Sequence, residues 1–387
     1  MTAAPSITDS PSFESSAGSV RLLRQSECRA LPLWSAAFRG QAKDERYDEI
    51  VDDTLGADFD CRVLVVYDQA GVPIALQPCF FVEQDLVATA PAFVRRVVGK
   101  MRRWWPRLLR LRMLMIGCAA GTGHPSALLH LTALIETLPA IARCHGATLI
   151  VWKDIPSSHR AELAPLAATF TRVASMPATQ LAFDVANFEE YLARKLSHSM
   201  RKNLRRKFRI LASSPPLEMT VTTSLAGVLD EAHALYLQVF ERSSLRFEKL
   251  TTEFLMELER RMPDRVRFFL WRQQGRLVAF SLCMVHDGVI YDEYLGLDYR
   301  VALDLHLYFV TFRDVLSWAL EQGLRAYHST PLNYQPKLHL GFQLVPLDLY
   351  VSPTADWARP LMRLVLPWIQ PTRAEPVLRE FPNAAEL

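Results

Sequence analysis

The chain has 387 residues, half of them apolar and 22% charged, which gives length for two hydrophobic cores and excludes a disordered polypeptide. Its formal net charge of +3 hides segregation: the runs Arg95–Arg112 and Arg194–Arg209 each hold eight Arg/Lys and no acid, so the remaining body is acidic. No apolar run reaches the ~18 residues of a spanning helix, and Cys28, Cys61, Cys79, Cys118, Cys144 and Cys283 show no metal-ligand spacing, which predicts reduced thiols in a cytoplasmic protein.

Residues 1–19 are rich in Ser, Pro and Ala, lack the pattern of a secretion signal, and are expected to be disordered. Arg62–Val87 then reads as three apolar runs separated by polar turns, the first turn holding Gly71, which predicts an antiparallel meander. A helix-length pattern at Leu128–His145 follows, then Gly146 as its stop and a strand at Ala147–Trp152. The same order returns at Arg265–Ile290 (turn at Gly275), His306–Gln322, Gly323 and Leu324–Ser329. Two copies of β-β-β-α-β predict an α+β chain with duplicated domains at 20–185 and 186–355, followed by a tail over 356–387 that folds on as short helices. Gly71 to Gly146 spans 75 residues and Gly275 to Gly323 spans 48, so the first copy holds an insert, placed at about 90–115.

The insert contains VRRVVGKMRRWWPRLLRLR. Trp104 and Trp105 among arginines, with Leu108, Leu109 and Leu111 following, fit an interfacial membrane segment, a lid over a lipid-like chain, or a surface helix packed by its tryptophans. Met113–Leu131 is a strand, then Gly117, Gly121 and Gly123, then a helix. Helix-start N–H groups exposed by small residues hold phosphate, although a plain turn has the same composition.

Asn187–Leu211 predicts a helix with Leu196, Met200, Leu204, Phe208 and Leu211 on one face and Arg201, Lys202, Arg205, Arg206 and Arg209, with His198, on the other. Near-adjacent cations without compensating acids suit a polyanion such as a CoA nucleotide, a tRNA or a lipid phosphate; a solvated face is the alternative. Further helices are predicted at Ala226–Arg242 and Thr251–Arg261, separated by the loop 243–250 (SSLRFEKL), which could cover a ligand. On Val289–Phe309, alternation puts Asp292 with Tyr294 on one strand face and Tyr291 with Glu293 on the other. A buried carboxylate there is a candidate general base, and an arginine-paired acid at a sheet edge is the alternative. Asp304 and His306 suit helix caps. Tyr327–Tyr350 leads a strand into a loop with Tyr334, which could protonate a leaving thiolate, and Lys337, which could hold an anion; structural roles are the alternative for both. Strands near 343–350 are expected to finish the second sheet.

Three of these segments carry a resemblance. YLARKLSHSMRKNLRRKFRIL, DEYLGLDYR and NYQPKLHLGFQLVPLDLY resemble the linking helix, the strand end and the closing motif of the Fem-type peptidoglycan aminoacyl transferases and of the BioF-type (CelD-like) acetyltransferase domain family. The resemblance implies two tandem GNAT-like domains, with mixed, mostly antiparallel sheets flanked by helices, joined by the basic helix. It implies transfer of an acyl group from acyl-CoA to the amine of a small or lipid-like acceptor, in cell-envelope or lipid-linked biosynthesis. The acceptor would lie between the halves, lined by Glu293, Tyr334 and Lys337. A carboxylate or histidine would take the ammonium proton, a backbone N–H of a splayed strand would hold the oxyanion, and a tyrosine would protonate the leaving group. Arg201, Lys202, Arg205 and Arg206 would hold donor phosphates. The family's pyrophosphate loop falls on Leu297–Ala302, where Arg300 stands without the usual glycines, while Gly121 and Gly123 occupy its counterpart in the first copy. No metal and no DNA are implied. An aminoacyl-tRNA donor, or a non-catalytic protein binding membrane or polyanion on the same fold, are the alternatives; the cationic runs allow a peripheral place on the inner membrane face.

Overall fold

The computed structural model describes residues 11–85, 92–105, 110–243 and 246–387. The chain forms two compact units, Met1–Ser175 with Leu347–Ala374, and Met176–Pro346 with Glu375–Leu387. The boundaries differ from the expected 20–185 and 186–355 because two strands change sheets. Ala178–Ala182 joins the second sheet, between Gln343–Val345 and Ala326–Ser329. Leu347–Pro353, expected to finish the second sheet, instead pairs with Leu149–Pro156 and Thr171–Ala174 in the first. Pro346 separates the two runs of QLVPLDLY, and a residue with no N–H to give a ladder is where the chain can leave one sheet for another.

In the first unit, Asp60–Tyr67, Pro73–Asp85 and Arg110–Ile116 form the meander, and helix Leu131–Cys144 crosses over to Leu149–Pro156, which lies parallel to Arg110–Ile116. The helix presents Leu131, Leu134, Leu138 and Ile141 to Leu64, Val66, Phe81, Leu114 and Trp152. The third strand is thus Arg110–Ile116, beyond the insert, and not the short run near Val87, which lies outside the described residues. The N-terminal segment is a hairpin in its described part: Ser12–Ser15 pairs with Gly18–Arg24, which pairs with Asp60–Tyr67, burying Val20 and Leu22. Disorder over 1–19 therefore does not hold beyond residue 11.

The second unit repeats the connectivity. Val266–Gln273, Arg276–His286 and Val289–Leu297 form the meander, and helix Leu307–Glu321 crosses to Ala326–Ser329, parallel to Val289–Leu297. The hairpin between the second and third strands turns at Asp287 (φ 45°) and Gly288 (φ 69°). In the first unit, residues 86–109 stand in place of that two-residue turn, with Asp85 still opposite Arg110. The insert is accordingly an extended hairpin tip, and its described part is helical over Ala92–Met101.

The predicted helix 187–211 is two helices, Phe188–Lys195 and His198–Ala212. Asn187 caps the first through Glu190 N (2.9 Å) and Ser197 caps the second through Met200 N (3.3 Å). A serine that can take the cap position stops one helix and starts the next, a competition that the continuous apolar stripe conceals.

Candidate active site

The strand Val289–Leu297 outruns its parallel neighbour. Its pairing with Ala326–Ser329 ends with Asp292 opposite Ser329, whereas its other edge stays paired as far as Leu297 opposite Ala279. The equivalent strand of the first unit stops at Ile116, its last parallel pair with Trp152. The second sheet therefore opens a fork at Asp292. A register shift falls at the same point: Leu282 faces Tyr294 while Cys283 faces Asp292, leaving Glu293 as the extra residue of a β-bulge. A bulge bends its strand and takes main-chain groups out of the ladder, so the strand edge beyond Asp292 faces the fork. Helix Leu229–Phe240 crosses this strand so closely that a Cβ on Gly296 would lie 2.7 Å from Tyr236 N and 2.8 Å from Leu235 C. Tyr294 donates to Glu248 Oε1 at 2.9 Å, which ties the loop expected to cover a ligand to the forked segment; Ser244 and Leu245 of that loop lie outside the described residues.

Asp292 sits where the fork opens. Its carboxylate accepts from Ser281 Oγ (2.6 Å) and Tyr327 OH (2.6 Å), with Cys283 Sγ at 3.7 Å. Burial, reinforced by the Asp292 charge, holds the Tyr327 hydroxyl and the Cys283 thiol well above their ordinary pKa values. The same two causes raise Tyr308, against an opposing hydrogen bond with Asn333. Tyr327 and Cys283 stay protonated and act as donors to the Asp292 carboxylate.

Lys337 is 5% exposed. Burial pulls its pKa down to about 7, with Asp292 pulling partly back. Its Nζ donates to Thr330 O at 2.5 Å. Between Thr330 and Lys337 the backbone passes through Leu332 (φ 78°) and Asn333 (φ 53°). Left-handed backbone at leucine costs roughly 1–2 kcal/mol, and such strain persists where surrounding contacts enforce it. A buried amine titrating near neutrality can give or take a proton.

The other expected site residues have different surroundings. Tyr334 is buried and donates its hydroxyl to Pro177 O at 2.7 Å, with its ring edge-on to Phe381. It anchors the short helix Tyr334–His339 instead of facing a leaving group. Glu293 contributes the bulge, and its carbonyl accepts from Thr330 Oγ1 at 3.5 Å. His306 stands at the start of helix Leu307–Glu321 in a left-handed conformation with no side-chain cap bond, so the cap reading fails there.

The N–H groups of the pyrophosphate loop expected in the second unit are taken up internally. In the second unit Asp298, fully buried, pairs with Arg276 and with Arg300 (2.9 Å), and its carboxylate also accepts from Arg300 N at 3.1 Å. Val301 N and Ala302 N donate to Asp298 O, and Tyr299 N to Gln238 Oε1. Arg300 is thus paired with an internal acid. In the first unit Gln77 Oε1 takes Ser126 N and Ala127 N. Lys153 Nζ donates to Gly121 O at 2.8 Å, and Tyr47 OH to Ala120 O at 2.7 Å. Gly123 is a packing residue, since a Cβ would lie 1.9 Å from Lys153 O. Gly121 thus offers its carbonyl to a lysine, and Gly123 allows the close approach of the Lys153 carbonyl.

The basic helix fares better. An open groove of ≈ 590 Å³ is lined by His198, Arg201, Lys202, Arg205, Phe208 and Arg209, with Glu189 and Leu192 from the preceding helix. Arg201 donates to Ala193 O (3.0 Å) and Leu196 O (2.9 Å), closing the end of helix Phe188–Lys195. Arg205 lies 3.5 Å from Glu189, and Arg206 bonds Asn203 at 3.4 Å. Lys202 and Arg209 are exposed.

Residues 198–337, which hold the basic helix, the fork and Lys337, match the family model of the acetyltransferase (GNAT) domain. The second unit is a GNAT acetyltransferase domain. The order β-β-β-α-β is present in both units. Among solved structures it is similar to FemX (12% identity, 83% of this chain and 93% of that one, TM-score 0.49). It is also similar to a tandem GNAT protein from the clavulanic acid biosynthesis pathway (12%, 87% and 99%, TM-score 0.47) and to L-PGS from Bacillus licheniformis (13%, 86% and 97%, TM-score 0.45). No curated protein matches the chain. Among the described residues no cluster of three His, Cys, Asp or Glu is arranged to hold a metal ion, and no helix is long and apolar enough to cross a membrane.

The residues that sequence reasoning missed around Asp292 are Ser281, Tyr308, Tyr327 and Thr330. Ser281 and Cys283 alternate on one strand within an otherwise apolar run, which is the trace a buried polar cluster leaves in sequence.

Proposed function

We infer that the GNAT domain transfers an acyl group from acyl-CoA to the amine of a small or lipid-like acceptor, with the chemistry at the fork. The observation that carries this reading is the coincidence, at Asp292, of a strand fork, a bulge and a buried lysine titrating near neutrality. The donor carbonyl lies in the fork, and main-chain N–H groups beyond Asp292 hold its oxygen as charge develops. Uncharged Lys337 takes one proton from the acceptor ammonium, and the amine attacks the thioester carbon. The C–S bond breaks, and the thiolate leaves with the second proton lost by the nitrogen. Asp292, held by Ser281 and Tyr327, keeps the lysine end of the site from becoming too poor a base. Donor phosphates lie in the groove of Lys202, Arg205 and Arg209.

A second donor, an aminoacyl-tRNA, is favoured by one observation: the Asp298–Ala302 loop satisfies its own N–H groups, while the cationic groove is open. Thermal-shift titrations with acetyl-CoA, long-chain acyl-CoA and free CoA test the choice, because a ligand of the native state raises the melting temperature. Stabilisation by acyl-CoA, followed by acyl transfer to an amine panel in mass spectrometry, is the expected result. No shift with any CoA but tight binding of aminoacyl-tRNA replaces the donor, and silence with both overturns acyl transfer.

A further inference from the structure

The helix Arg359–Ile369, in the first unit, is turned inside out. Leu366 is its buried residue, facing strands Thr171–Ala174 and Leu347–Pro353, while Trp357, Leu361, Leu364, Val365 and Trp368 are exposed. Positions 361, 364, 365 and 368 follow the spacing of one helical stripe. Trp357 is 81% exposed, Leu364 68% and Trp368 69%. An apolar stripe of this length facing water marks an interaction surface.

We propose that this stripe is an interfacial anchor for an anionic lipid bilayer. Three observations select that occupant. Tryptophans stand at both ends of the stripe, the placement that suits the headgroup boundary. The flanking charge is positive: Arg359, Arg363 and Arg373 accompany one acid, Asp356, which is paired with Arg359 at 2.8 Å. The same unit carries a second element of this chemistry in the insert, where Trp104 (84% exposed), Trp105 and Met101 stand with Lys100 and Arg103 in a run without acids. Eleven residues span about 16 Å as a helix, too short to cross a bilayer and suited to lying in its surface. A second copy fits less well, because two such faces would bring like charges together. The anchor is independent of the acyl-transfer reading and would hold the chain at a membrane whatever the donor.

Flotation with phosphatidylcholine vesicles, with and without phosphatidylglycerol, tests it alongside the variant Leu361→Ser/Leu364→Ser/Trp368→Ser. The wild type is expected to float with the anionic vesicles at low salt and less with phosphatidylcholine alone, and the triple variant to lose binding by about tenfold or more. Circular dichroism and melting temperature should be unchanged, since the replaced side chains face water, and acyl transfer to a soluble amine should persist. A wild type that ignores both vesicles, or a variant that floats as well as the wild type, overturns the anchor. So does light scattering that finds a dimer converted to a monomer by the variant, which gives the face to a second copy.

Discussion

Arg300 folds back on Asp298, with Nε 2.9 Å from a carboxylate that has no solvent exposure. That carboxylate also accepts the Arg300 main-chain N–H, so an internal anion stands at the loop expected to take the donor phosphate. Arg300→Ala should therefore leave donor affinity within about twofold, since an exposed arm of a surface ion pair contributes ~0–1 kcal/mol. Asp298→Ala should lower stability by about 1–3 kcal/mol, because the Arg300 main-chain N–H and two arginine side chains lose a charged acceptor they share. Denaturant titration and isothermal calorimetry on the two variants check both; a tenfold loss of donor affinity in Arg300→Ala would return the residue to the donor site.

Tyr334→Phe separates an anchor from a proton donor. Losing the bond to Pro177 O should cost about 0.5–1.5 kcal/mol of stability and leave kcat unchanged. A hundredfold fall in kcat with intact stability, the size expected of a general acid, would reinstate the catalytic role.

Lys337 gives a pH dependence with a definite sign. Its folded pKa of about 7 lies below the ordinary lysine value of 10.5, so between these values the unfolded chain binds the extra proton. Stability then rises with pH across that window, and the penalty is fully present below pH 7. Lys337→Met should remove this rise, and at pH 7 it should match or exceed the wild type in stability. The kcat/KM profile of the wild type should climb through about pH 7, with the limb absent in the methionine variant. A limb that persists unchanged belongs to the acceptor amine.

The duplicated order was legible in sequence because alternation in the strands, helical spacing and the glycine stops at 146 and 323 are local signals. The strand exchange was not, since nothing local distinguishes which sheet Leu347–Pro353 pairs with once Pro346 has broken the run. Alternation shows that Asp292 and Glu293 point to opposite strand faces but not which face is buried, and the residue expected in the site was Glu293. The partners of Asp292 could not be read, because Ser281 and Tyr327 come from neighbouring strands whose register is set by the bulge at Glu293. The Arg300 ion pair could not be read, because pairing with Asp298, two residues away, looks the same in sequence as a display for phosphate.

Asp292→Ala should remove the acceptor shared by Ser281 and Tyr327 and destabilise the domain by about 2–4 kcal/mol, as two buried hydroxyls lose their partner. Asp292→Asn keeps one acceptor and should cost less. In both variants the pull of the carboxylate on Lys337 disappears, so the lysine titrates lower and the rising limb of the rate profile should move to more acid pH. A limb that stays in place, measured on the folded asparagine variant, would separate Asp292 from the proton transfer.

The basic groove gives the last prediction. Arg201 closes the preceding helix through Ala193 O and Leu196 O, so Arg201→Ala should lower stability by about 1 kcal/mol before any effect on ligand is read. Lys202, Arg205 and Arg209 are exposed and line the groove. Replacing these three with alanine should hold or raise the melting temperature, since mutual repulsion is relieved and only the weak Arg205–Glu189 pair is lost. Donor affinity should fall by about tenfold to a hundredfold, and its dependence on salt should flatten, because fewer phosphate contacts are screened. The slope against ionic strength discriminates donors as well. A nucleotide with a few phosphates gives a shallow slope, and an RNA that releases many counterions gives a steep one. Unchanged affinity and slope in the triple variant would make the stripe a solvated helix face and leave the fork at Asp292 as the remaining support for acyl transfer.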